Sequence, residues 1–307
     1  MNGANLRKYN FDENECGLTR WILTALTGYI GGSTAASFAY AALELTGIFN
    51  ADGPLGFMSS FGLLMTSYAV TFAVTAAAIK SIAGTSLRAF TIGSGSTKFS
   101  REMLADQLLF PGFAFFIGAS VICLFESRNI SMRGLSAAQF VILLVFSLMF
   151  VWMQTTAEEF IFKGIFIRYA CGNDIRFSCR SAAAGLVSAL IFTSLHFFNP
   201  EMLARSGAMD VLLAASYYFI SAMLGFMLDL HYGSLLPGIA IHFVNNFHAF
   251  VLVGGEASAG SSPSLLVDRT VTSGAGMLLK AVILYLPVLV LAAYRSVKGK
   301  KKAGTIS

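Results

Sequence analysis

Long apolar runs separated by short polar connections recur along the chain from residue 21 to residue 295. A helix needs about 20 apolar residues to cross a hydrocarbon layer of ~30 Å. Runs close to or above that length cover 21–48, 57–80, 107–127, 135–172, 181–198, 210–230, 235–254 and 275–295. They are apolar on all sides, whereas membrane-spanning strands alternate apolar and polar residues over segments of about ten. The pattern predicts an all-α fold, a polytopic transmembrane helix bundle of about eight spans.

The fourth run, 135–172, is too long for one simple span. A helix of about 38 residues would reach ~57 Å, so this run either breaks near Thr155 and Thr156 or projects well beyond the membrane. Both alternatives stay open. We divide the chain into N-terminal transmembrane helices without an assigned role (1–134), a core (135–254), and a last span with a basic tail (255–307).

Composition agrees with a membrane protein. Hydrophobic residues make up 56% of the chain, charged residues 12%, and the mean hydropathy is +0.70, whereas about a quarter of a soluble domain is charged. We attribute the net charge of +5 to the positive residues that orient a membrane protein. A role with nucleic acid would instead need a basic patch on a soluble face. We expect membrane lipid as a partner of the basic tail, and no nucleic acid.

Lysine and arginine are concentrated in alternate connections, which sets the expected orientation. One set comprises Arg7, Lys8, Arg20, Lys80, Arg88, Lys98, Arg101, Arg168, Arg176, Arg180, Arg295, Lys298, Lys300, Lys301 and Lys302. The intervening connections carry only Arg128, Arg133, Arg205 and Arg269. We therefore expect a multi-pass protein of a bacterial inner membrane with both termini in the cytoplasm.

Two adjacent glutamates interrupt the fourth apolar run. An ionisable side chain at membrane depth costs at least ~2.5–3.5 kcal/mol and by default marks a functional cavity. Glu159 and Lys163 are four residues apart and share a helix face, so they predict a local ion pair. Glu158 then points elsewhere without a partner nearby in sequence, as a general base would. The alternative is that this helix has left the membrane and that both glutamates are solvated.

Two histidines lie in the apolar runs downstream. His196 ends the stretch "FTSLH", in which Phe192 lies one turn earlier and is placed to pack against the imidazole. His242 and Asn246 are four residues apart in "HFVNN" and project into one cavity. Each is also compatible with a structural role, an interfacial histidine or an interhelical hydrogen bond.

The ordered stretches "EEFIFKG", "FTSLH" and "HFVNN" resemble the three motifs EExxxR, FxxxH and HxxxN of the CPBP intramembrane proteases. That family includes the type II CAAX prenyl endopeptidases and bacterial relatives linked to bacteriocin processing and immunity. The resemblance covers roughly 153–253. Lys163 stands where the family usually has arginine, which keeps the charge but loses the bidentate grip on a carboxylate.

The resemblance implies an intramembrane endopeptidase that acts on a peptide or protein at the membrane, with lipidated substrates as one option. Glu158 would activate water with the help of His196, while His242 and Asn246 would donate hydrogen bonds to the oxyanion. Glu159 and Lys163 would support the site. We expect a cavity reached from the cytoplasmic side to supply the water.

The resemblance leaves metal use open. Glu158, His196 and His242 are suitable zinc ligands, which makes zinc a candidate cofactor, although no HExxH preorganises two of them. Two other classes of function compete with a protease. They are a proton-coupled membrane transporter, for which intramembrane Glu and His are usual, and a non-catalytic immunity or scaffold protein on the same fold.

Overall fold

The protein is a helical membrane bundle. The computed structural model describes residues 17–93, 99–172, 175–255, 262–270 and 272–302, with side chains as far as Arg295. Its helices are α1 (Gly17–Leu26), α2 (Gly32–Leu45), α3 (Ser59–Ser81), α4 (Leu87–Ile92), α5 (Arg101–Leu104), α6 (Phe110–Glu126), α7 (Ala137–Glu159), α8 (Ile165–Cys171), α9 (Cys179–His196), α10 (Pro200–Leu203), α11 (Ala208–Tyr232), α12 (Leu236–Phe247) and α13 (Gly274–Lys302).

Five helical segments of the described chain are long and apolar enough to cross a membrane: Gly56–Ser81, Arg101–Asn129, Ala137–Cys171, Ala208–Tyr232 and Gly274–Arg295. The all-α membrane architecture is therefore confirmed. The expected number of eight spans is not, because the remaining helices do not meet the same criterion of length and hydropathy.

Short π-helical turns join several helices without a break. They lie at Thr27–Gly31, Ala105–Leu109, Phe160–Gly164 and His248–Leu252. The turn at Phe160–Gly164 connects α7 directly to α8, so the long run 135–172 forms one helical segment and does not break near Thr155. π-turns often occur at functional sites, and this one begins at the residue after Glu159.

A small sheet closes one end of the bundle, which we call the strand end. Strands β1 (Ile130–Met132), β2 (Val253–Gly255) and β3 (Leu266–Asp268) are ordered β1-β3-β2, with β1 antiparallel and β2 parallel to β3. The starts of α11 and α13 lie at the same end. Arg205 joins them, since it pairs with Asp210 at 2.5 Å and donates to the carbonyl of Thr272 at 3.1 Å.

Different contacts hold the opposite end together. Arg168 at the end of α8 donates through Nε to the carbonyl of Phe90 at 2.8 Å. The N–H of Leu235 donates to the Thr91 carbonyl at 2.9 Å, and Trp21 of α1 packs against Phe90 with ring centroids 6.0 Å apart. These contacts dock α4 beneath α1, α8 and α12, so the amino-terminal helix begins at the end opposite the sheet.

Candidate active site

A cavity of about 950 Å³ lies inside the bundle and is lined by four side chains that the sequence singled out: Glu158, His196, His242 and Asn246. The first comes from α7, the second from the last residue of α9, and the other two from α12. The structure therefore brings together residues that are up to 88 positions apart in sequence. The alternative in which both glutamates are fully solvated is wrong, because the side chain of Glu159 is only 4% exposed.

The floor of the cavity is a buried cluster of charges. Lys163 forms the predicted ion pair with Glu159 one helical turn away, and its Nζ also lies 3.8 Å from Oδ2 of Asp229. Asp229 is fully buried, and its Oδ1 accepts the backbone N–H of Gly238 at 2.8 Å. A buried carboxylate needs such partners because removing a charge from water is costly. Sequence reasoning missed Asp229, although an aspartate preceded by eighteen uncharged residues of the apolar run 210–230 is itself a signal of a polar partner.

Two glycines make room for this cluster. A Cβ on Gly238 would lie 2.6 Å from Oδ2 of Asp229 and 2.8 Å from Nζ of Lys163, and one on Gly225 would lie 2.7 Å from the same Nζ. Real Cβ atoms almost never approach another heavy atom this closely. Both positions therefore require glycine as long as the Lys163 side chain keeps this conformation.

His242 bridges the two glutamates. Its Nδ1 lies 2.9 Å from Oε1 of Glu159, and its Nε2 lies 3.4 Å from Oε2 of Glu158. A carboxylate only accepts hydrogen bonds, so Nδ1 carries the proton of the shorter contact. Glu159 therefore orients the imidazole and also balances the charge of Lys163.

Glu158 has a partner close in sequence, which corrects the expectation that it has none. Gln154, one turn earlier on α7, donates through Nε2 to Oε1 of Glu158 at 2.6 Å. Its Oε1 accepts from Nδ2 of Asn246 at 2.9 Å, and Asn245 donates to Asn246 at 3.0 Å. The amide of Gln154 thus joins the first and third motifs. Sequence reasoning missed it, although its position four residues before Glu158 was the available signal.

The imidazole of His196 is held by aromatic rings and by its own helix. Its centroid lies 4.2 Å from that of Phe192, as the spacing predicted, and 4.4 Å from that of Tyr218. Nδ1 lies 2.8 Å from the carbonyl oxygen of Phe192. Because a carbonyl can only accept, Nδ1 carries the proton, and Nε2 of the neutral ring is left as a proton acceptor.

The nearby hydroxyls are committed to backbone carbonyls. Thr193 donates to the carbonyl of Ala189 at 2.7 Å, and Ser194 donates to that of Ile191 at 2.7 Å. Neither hydroxyl is paired with His196, as the nucleophile of a triad would be.

Comparison with known proteins assigns the segment that holds this site. Residues 105–248 match the family model described as Rce1-like, type II CAAX prenyl endopeptidase. The matched segment is similar to this family and covers a little under half of the chain. An uncharacterized protein of Bacillus subtilis (strain 168), YyaK, is 32% identical over 145 residues, which is 47% of this chain and 44% of that protein. The match thus spans less than half of the relative's length, and no solved structure matches the chain.

The Rce1-like segment contains all three motifs. It begins at residue 105, whereas the resemblance identified from the motifs begins near residue 153. It starts in the π-turn before α6 and ends at His248, after Asn246. The match therefore includes part of the N-terminal 1–134 region, to which the sequence assigned no role.

The cavity of the Rce1-like segment opens at the strand end. Residues near its mouth come from the connection after α9, from β3 and from the start of α13; they include Asn199, Glu201, Ser206, Asp268 and Ser273. The predicted orientation places this end outside the cytoplasm. The two expectations of cytoplasmic termini and of cytoplasmic access to the cavity therefore contradict each other in this structure.

The proposed zinc ligands do not fit a metal ion in this geometry. Both ring nitrogens of His242 face carboxylates, and Nδ1 of His196 faces a carbonyl oxygen. Within the described part of the chain, no three His, Cys, Asp or Glu side chains are grouped so that they could hold an ion. The metalloprotease assignment thus finds no support.

Proposed function

We propose that this protein is an intramembrane endopeptidase in which Glu158 activates the water that attacks a peptide bond. The observation that carries the proposal is the unequal placement of the two adjacent carboxylates. Glu158 is 18% exposed and lines the cavity beside both histidines, whereas Glu159 is 4% exposed and is tied to Lys163. A general base must reach its water, and only the first glutamate meets that condition.

Glu158 accepts a proton from water as the water oxygen attacks the carbonyl carbon. Gln154 donates to Oε1 of Glu158, Oε2 faces His242, and Tyr68 also lies against this carboxylate in the cavity that admits the water. The neutral imidazole of His196 exposes Nε2 as an acceptor, so it orients the same water or receives its proton. The proton then passes to the leaving amine as the tetrahedral intermediate collapses.

His242 and Asn246 stabilise the oxyanion of that intermediate. Because Nδ1 of His242 donates to Glu159, the ring donates to the oxyanion through Nε2 as an imidazolium, with a proton on each nitrogen. The amide of Asn246 has two N–H donors and spends one on Gln154, which leaves one for the oxyanion. Donors preorganised in a buried site are typically worth 10²–10³-fold in rate.

The substrate we propose is a peptide or protein segment presented at the membrane. The family is named for prenylated substrates, so a lipidated and an unlipidated peptide of one sequence should be compared directly. The order of cleavage rates for the two peptides will show whether the lipid contributes to recognition.

The deciding experiment uses purified protein in detergent with a defined library of peptides and mass spectrometry of the products. We expect wild type to release fragments and Glu158→Gln to release none, while a matched variant on the lipid-facing surface, Leu148→Ala, retains activity. Leu148 is half exposed on the same helix. Absence of fragments with wild type would favour the transporter or the non-catalytic partner instead.

A further inference from the structure

We propose that the cavity mouth faces away from the cytoplasm, so that the protein cleaves peptide segments reaching it from the extracytoplasmic side. The orientation of the cavity in the membrane is inferred from the fold and from the distribution of lysine and arginine. The statement about substrate also rests on the proposed function. Three observations carry the inference.

The first observation is that the cavity opens at one end only in the described residues. The exposed residues of its lining all lie at the strand end: Ala204, Ser206, Arg269 and Ser273. The lining contains no residue from the connections of the opposite end, where α4, α5 and the 172–178 connection lie. Water and substrate therefore enter past the sheet.

The second observation is that the path to the opposite end is filled. Beneath Glu158 lies the buried charge cluster of Glu159, Lys163 and Asp229. Below it, apolar side chains from several helices and connections pack in one buried cluster, which includes Phe90, Phe160, Ile165, Phe226 and Leu235. Buried apolar packing has few voids as large as a water molecule, so the floor separates the site from the opposite end.

The third observation is the unequal number of cations at the two ends. Eight described residues lie near the opposite end: Arg20, Lys80, Arg88, Arg101, Arg168, Arg176, Arg180 and Arg295. The last turns of α13 add Lys298, Lys300, Lys301 and Lys302 to this end.

The strand end has five, Arg128, Arg133, Arg205, Arg269 and Lys280. Ion pairs occur at both ends, since Arg205 pairs with Asp210 and Arg295 with Asp106, so the comparison rests on the number of lysines and arginines. Lysine and arginine near span ends favour the cytoplasmic side, so the opposite end is cytoplasmic and the open end is not.

The chemistry of the mouth fits a polar peptide. Both carboxylates and cations line the cavity at this end, and Tyr218 and Asn199 donate hydrogen bonds of 2.5 and 3.0 Å to Glu201. Side chains with charges of both signs offer hydrogen bonds to the backbone of an extended peptide. We therefore expect the extracytoplasmic segment of a membrane protein, or a secreted peptide, as the substrate class.

Thiol labelling of intact cells tests the orientation without any need for activity. One variant keeps Cys179 as its single cysteine, since this thiol is exposed at the opposite end. The matched variant replaces all four cysteines by alanine and carries Ser206→Cys, an exposed position at the mouth. A membrane-impermeant maleimide should label the Ser206→Cys variant in cells and the Cys179 variant only after detergent is added. The reverse pattern would overturn the orientation.

A vesicle assay tests the substrate side. A mixture of water-soluble peptides that cannot cross the membrane is added to right-side-out vesicles and to inverted vesicles that contain the same amount of protein. We expect cleavage in the right-side-out preparation and its loss in the inverted one. Cleavage confined to inverted vesicles would refute this inference and leave the peptidase intact. No cleavage even in detergent would instead refute the proposed function, and the labelling result would still decide the orientation.

Discussion

Nδ1 of His242 lies 2.9 Å from Oε1 of Glu159, so the histidine of the third motif is positioned by the same glutamate that neutralises Lys163. This contact joins α12 to α7 across 83 residues of sequence and leaves only Nε2 of the ring near Glu158. One carboxylate thus serves charge balance and orientation, while its neighbour faces the cavity.

The paired glutamates should respond differently to the same substitution. Glu158→Gln should abolish turnover with little change in the free energy of unfolding, because Glu158 is partly exposed and forms no ion pair with a lysine or arginine in the described chain. Glu159→Gln should lower stability by about 3 kcal/mol, because it leaves the buried Lys163 with Asp229 alone at 3.8 Å. Thermal unfolding in detergent together with a turnover assay measures both effects. Equal losses of stability in the two variants would refute this division of roles.

Gln154 should matter for turnover although no family motif contains it. Gln154→Met keeps the volume but removes the donor to Glu158 and the acceptor for Asn246. We expect kcat to fall by up to about 10²-fold, since a small misplacement of a catalytic group has effects of that size. KM should change little.

A double-mutant cycle with Asn246→Ala tests whether Gln154 and Asn246 act together in catalysis. Alone, Asn246→Ala should reduce kcat by on the order of 10²-fold if Asn246 donates to the oxyanion. The double variant Gln154→Met/Asn246→Ala should lose less than the sum of the single losses, because the two amides form one network. Strict additivity would show that Gln154 acts independently of Asn246.

Lys163→Arg should destabilise the protein, although it restores the usual family residue and keeps the charge. Gly225 and Gly238 leave no space for even a methyl group beside Nζ of Lys163, and a guanidinium is larger than an ammonium. Overpacking of this kind costs about 1–3 kcal/mol. Gly238→Ala should lower the free energy of unfolding by a similar amount. A thermal midpoint for Lys163→Arg at or above the wild-type value would show that the cluster rearranges to admit arginine.

Hydrolysis should proceed without a covalent enzyme intermediate. Thr193→Val, Ser194→Ala and the four Cys→Ala variants should keep substantial activity, because the two hydroxyls are bound to carbonyls of their own helix. His196→Ala and His242→Ala should remove most of it. Cleavage in ¹⁸O water should place the label in the new carboxylate without an initial burst. A trapped acyl-enzyme would show that a side chain, and not water, is the nucleophile.

The amino-acid pattern was sufficient for the fold class, for the Glu159–Lys163 pair and for the packing of Phe192 on His196. Each depends on one element at a time: apolar length for a membrane helix, and the 3.6-residue period for neighbours one turn apart. The four cavity residues were identified for a related reason, since a polar group in an apolar run needs a partner or a function. Even the family match rests on local motifs in a set order.

Contacts between elements required the folded chain. Asp229 beside Lys163, His242 between two glutamates and the amide of Gln154 linked to Asn246 all depend on how α7, α11 and α12 approach each other. Periodicity within one helix contains no information on that approach. Which end of the cavity is open also depends on contacts between elements. The apolar floor and the sheet are formed by segments far apart in sequence, and only their packing shows which end of the bundle water can enter.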